Sequence, residues 1–76
     1  MIGYDVTAQG FVLQSCLADT YTYTRSDNYI LIINDVTEYF LIRYYNINQP
    51  GVNIELFRGW LPTEQDFLTV FALVKP

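Results

Sequence analysis

An α+β fold is predicted: an antiparallel meander of four to five strands with one C-terminal helix packed on one face. Three observations predict it. Short runs of β-branched and aromatic residues recur between Phe11 and Arg58. Turn-forming residues separate these runs at about the 8–12-residue spacing of strands joined in sequence. Beyond Pro62 the hydrophobic period lengthens from that of a strand to that of a helix. Residues 1–76 are read as a single domain.

The segment from Met1 to Ala18 admits two readings. Phe11, Leu13, Ser15 and Leu17 alternate with Val12, Gln14 and Cys16, as in a strand. Leu13, Cys16 and Leu17 also fit one turn of a helix beginning after Asp5 or Thr7, although Gly10 weakens it. The strand is favoured. Thr20 to Thr24 alternates without a fault, placing Tyr21 and Tyr23 on one face and three threonines on the other. Arg25, Ser26, Asp27 and Asn28 read as a turn. Tyr29 to Asn34 is apolar on both faces, which predicts a strand in the middle of the sheet, covered on both sides.

A second turn follows at Asn34 to Thr37, then a longer strand from Glu38 to Ile47. Its faces carry Glu38, Phe40, Ile42 and Tyr44 against Tyr39, Leu41, Arg43 and Tyr45. Gln49, Pro50, Gly51 and Val52 predict a type II turn, because proline fixes one central φ and glycine supplies the positive one. The next strand runs from Val52 to about Arg58, with Ile54 and Leu56 opposed to Asn53, Glu55 and Phe57. Gly59 ends it. Thr63 is placed to cap a helix, with Asp66 three residues on and Glu64 beside the positive end of the dipole. Phe67, Val70, Phe71 and Val74 then share a helical face, flanked by Leu68 and Leu73.

Composition narrows the function. Hydrophobic residues make up 51% and charged residues 16% of the chain, against about 25% charged in an ordinary soluble domain. So few charges cannot clothe a small body, and some apolar side chains must lie outside. The net charge of −4 opposes binding to phosphate backbones and to anionic membrane surfaces. No basic residue precedes Arg25 and no apolar run is long enough to span a bilayer, so no signal or membrane segment is expected. The single cysteine, Cys16, forms no disulfide within the chain, and a reducing cytoplasm is the expected compartment.

Ordinary catalysis has few candidates. The chain has no histidine to activate Cys16, Ser15 or Ser26, and Cys16 is expected to be buried. Asp35 with Glu38, and Glu64 with Asp66, read as turn and cap residues. Isolated glycines make no phosphate loop. No cofactor or metal is expected, and the chain is read as a non-enzyme.

The residues left for recognition are Tyr21, Tyr23, Arg43, Tyr45, Arg58 and Trp60, of the types enriched at binding hot spots. Structural roles compete. Trp60 can plug the end of the core, and Arg43 and Arg58 can pair with Glu38 or Glu55 across strands. The expected function is that of a small protein-binding domain, an inhibitor or adaptor that occupies a partner surface. A viral or mobile-element origin, with a host defence complex as target, fits by analogy. A homo-oligomeric structural protein, a homodimer above all, is the first alternative. The second is a small-ligand or single-strand nucleic-acid binder using the sheet tyrosines, which the scarcity of Lys and Arg disfavours.

Overall fold

The computed structural model of the chain describes residues 3–45 and 53–74. The predicted turn at Gln49 to Val52 lies outside the described residues. Five strands form one antiparallel sheet: β1 (Val12–Leu17), β2 (Thr20–Thr24), β3 (Tyr29–Asn34), β4 (Tyr39–Tyr45) and β5 (Asn53–Gly59). Their order in the sheet is their order in the chain. A single 3₁₀ turn, Val6–Gln9, precedes them, and α1 (Glu64–Leu73) follows. The α+β meander with one C-terminal helix is therefore the observed fold.

The helix forms for the reasons its sequence states. The Thr63 hydroxyl accepts a hydrogen bond from the Asp66 backbone N–H at 3.1 Å, filling one of the unsatisfied donors of the first turn. Phe67 is fully buried, whereas Leu68 and Leu73 on the flanks are exposed. Phe67 and Phe71 pack on Phe11, and Phe71 also meets Tyr29. Trp60 meets Phe40 edge-on at 5.3 Å between ring centres, at the end of the core. The core proper is Val6, Phe11, Leu31, Ile33, Phe40, Ile42, Leu61 and Phe67.

The turns owe their shape to named side chains. Asn34 Oδ1 accepts from the N–H groups of Val36 and Thr37, and its amide donates to the Thr20 hydroxyl at 2.9 Å. That asparagine links the β3–β4 turn to the start of β2. The residues of β1 and β2 meet through the two-residue connection Ala18 and Asp19, in which Ala18 takes φ 54°.

Two bulges correct the predicted faces. In β1 the pairing shifts between Leu13 and Ser15, leaving Gln14 as the extra residue. Leu13 and Cys16 therefore share the helix side with Tyr23 and Tyr21, while Val12, Ser15 and Leu17 face away. Simple alternation had put Leu13 with Ser15 and Leu17. In β5 the shift falls between the partners of Ile42 and Arg43, so Ile54 and Phe57 share one face and Leu56 is the extra residue. Gly59 makes room for this packing: a Cβ there would lie 3.0 Å from Phe57 Cζ.

Burial also departs from expectation. The central place of β3 is observed, but only Leu31 and Ile33, on the helix side, are fully buried; Ile30 and Ile32 on the far side are half-buried. The buried core cluster lies on the helix side. Cys16 is exposed rather than buried, because β1 is an edge strand.

Candidate functional site

The six residues singled out for recognition fall on opposite sides of the sheet. Strand pairing puts Tyr21 and Tyr23 on the helix side, opposite Ile33 and Leu31. Trp60 lies at the end of that side. Arg43, Tyr45 and Arg58 belong to the far face, with Leu41 paired to Arg58 and Arg43 to Glu55. They do not form one surface.

On the far face, threonines of β2 lie beside Ile30 and Ile32, Arg43 of β4 pairs with Ile30, and Arg58 of β5 pairs with Leu41. Leu41 is 4% exposed despite facing away from the helix. The Arg58 guanidinium sits 5.2 Å from the centre of the Tyr39 ring and pairs with Glu55 at 2.8 Å. This pair runs along β5, not across strands as expected. Among the described residues the buried Arg43 Nε has no hydrogen-bond partner, although its strand neighbour is Glu55.

Strand β1 is the most open element. All six of its residues are exposed, and none is charged. Val12, Leu13 and Leu17 are 59%, 46% and 81% exposed. Among the described residues β1 is paired along one edge only, with β2, and its other edge carries backbone N–H and C=O groups that no described strand meets. Such edges are usually blunted by charge, proline or a bulge; here the bulge at Gln14 is the only such device.

The helix side has a pocket of about 190 Å³ beside β2. Its walls are Tyr4, Tyr21, Tyr23, Asp5 and Asp35, over an apolar base of Val6 and Ile33. Asp5 caps the 3₁₀ turn, with Oδ1 accepting from the Thr7 N–H at 2.9 Å and the Thr7 hydroxyl at 2.7 Å. These bonds hold its carboxyl below the usual carboxylate range. The Tyr4 hydroxyl donates to the Leu61 carbonyl at 2.7 Å, tying the N-terminal segment to the residue before Pro62.

All three phenols stay protonated well past neutrality. Burial, reinforced by Asp66 and Glu64, pushes Tyr4 upward. Tyr23 rises through burial and then the field of Asp5. Tyr21 rises chiefly through Cys16, which faces it across the strand pair, and then Asp35.

Sequence reasoning missed Tyr4, Asp5 and Asp35 as neighbours of the two sheet tyrosines. The Asp5–Thr7 spacing carried a capping signal; the approach of Tyr4 to Leu61 carried none. Among the described residues no three of His, Cys, Asp and Glu are grouped to hold a metal ion. No described helix is long and apolar enough to cross a membrane. No family model, curated protein or solved structure matches this chain.

Proposed function

We propose that this chain is a non-enzymatic protein-binding domain that works by adding a partner strand to β1, as an inhibitor or adaptor in the cytoplasm. The observation that carries this reading is the outer edge of β1: six exposed, uncharged residues whose backbone pairs with no described strand along one side. Strand addition draws affinity from main-chain hydrogen bonds and specificity from alternate side chains. Val12 and Leu17 on one face, and Leu13 on the other, supply the apolar contacts. Cys16, also on this strand, has its Sγ 3.8 Å from the Ala18 carbonyl.

The test is affinity capture from the native host with the wild type beside Leu17→Lys and Ser15→Pro. A discrete partner held by the wild type and released by both variants supports the reading. Capture that both variants leave intact moves the interface elsewhere.

The same edge supports a second reading, a homodimer in which β1 pairs with β1 of another copy about a two-fold axis. Light scattering at micromolar concentration separates the two. A dimer that Leu17→Lys dissociates favours self-pairing, and a strict monomer leaves a foreign partner.

A further inference from the structure

We propose that the pocket walled by Tyr4, Tyr21, Tyr23 and Asp5 binds an organic cation the size of a lysine or arginine head group. The inference does not depend on what pairs with β1. Size comes first. At about 190 Å³ the pocket is smaller than the roughly 300–1,000 Å³ of cofactor and drug-sized sites, so it suits a head group and not a nucleotide.

The walls select charge. Aromatic rings attract cations through the negative face of the π system, and several tyrosines round one cavity are the usual cage for an ammonium group. Asp5 adds a full negative charge. Its Oδ1 is engaged by Thr7, while Oδ2 makes no hydrogen bond among the described residues. No described lysine or arginine lines the pocket. Arg25 is engaged by Asp27 and Arg58 by Glu55, and Arg43 lies on the opposite face of the sheet. The Asp5 carboxylate repels phosphate, which sets aside base stacking on Tyr21 and Tyr23. The apolar base of Val6 and Ile33 suits the methylene or methyl groups next to the charge.

The experiment is an NMR titration of the intact chain at low salt, following the backbone amides of Asp5, Val6, Tyr21 and Tyr23. Probes are choline, methylguanidinium, a blocked lysine amide, the uncharged carbon isostere of choline, and adenosine monophosphate. The cations are expected to give saturable shifts confined to these residues and weakened by added salt. The uncharged isostere is expected to bind about tenfold more weakly, the loss of one or two cation–π contacts. Tighter binding of the lysine amide than of choline assigns the site to a protein side chain, and the reverse order to a free metabolite. Asp5→Asn keeps a competent cap and removes the charge; it is expected to retain the fold and lower cation affinity several-fold, as is Tyr23→Leu. The proposal is overturned if no cation gives a saturable shift, if the isostere or the nucleotide binds as well as choline, or if Asp5→Asn leaves the affinity unchanged.

Discussion

The guanidinium carbon of Arg25 lies 4.6 Å from the centre of the Phe71 ring. The same group is 5.2 Å from the rings of Phe11 and Tyr29, donates to the Gln9 carbonyl at 3.0 Å, and pairs with Asp27 at 2.6 Å. One side chain in a turn therefore joins the 3₁₀ segment, β3 and the helix. Gly10 permits this approach, since its φ of 89° suits glycine and a Cβ would sit 3.3 Å from Arg25 Cδ.

Arg25→Ala is expected to destabilise the fold by roughly 1–3 kcal/mol, through lost cation–π contacts and an orphaned carbonyl. The ion pair adds little, because the Asp27 side chain is half in solvent. Arg25→Lys keeps the charge but not the planar fork and is expected to recover only part of the loss. Urea denaturation measures both.

Stability is expected to fall at both ends of the pH range. Asp27, held down by its Arg25 hydrogen bond, Asp5 by Thr7, and Glu55 by Arg58 all have lowered folded-state values. Their contribution is present above the ordinary carboxylate range and is lost as pH drops through the folded values. The Tyr4 phenol is raised, so its contribution is complete below pH ~10 and lost as pH climbs beyond that. Urea midpoints measured across pH test this, and Arg25→Ala is expected to flatten the acid limb.

Tyr4→Phe removes the donor to the buried Leu61 and keeps the ring on Phe40. A loss of about 1–2 kcal/mol is expected, together with a smaller loss of stability in alkali. Unchanged stability in thermal melts would show that water replaces the hydroxyl.

Ala18 and Glu38 both hold positive φ, at 54° and 53°, in turns between strands. A side chain disfavours that conformation by about 1 kcal/mol. Ala18→Gly and Glu38→Gly are each expected to be neutral or to stabilise by a few tenths of a kcal/mol once glycine's greater unfolded-state entropy is counted. A clear fall in Tm for either would indicate that its side chain makes contacts outweighing the strain.

Much of the fold was legible because its signals are local. The alternation of Thr20 to Thr24, the Thr63 cap and the spacing of Phe67, Val70 and Phe71 are each decided within a few residues. The bulges were not legible: Gln14 and Leu56 fit unbroken alternation as well as they fit an extra residue. The pocket was less legible still. Its tyrosines were visible as candidates, but Tyr4 and Asp5 reach them only because Tyr4 is anchored 57 positions away at Leu61. Arg25 read as a turn residue because its ring partners Phe11 and Phe71 lie far from it in the chain.

That anchor orders events during synthesis. Hairpins of a sequential meander can close as they leave the ribosome, but Val6 and Phe11 find their cover only when Leu61 and Phe67 emerge. Roughly 50 residues must be added in between, a delay of several seconds at about 5–20 residues per second. For that interval the nascent sheet shows water both its bare inner face and the uncharged rim of β1. A chain with these two surfaces is most vulnerable to aggregation before it is complete, when it has most need of a chaperone or a waiting partner.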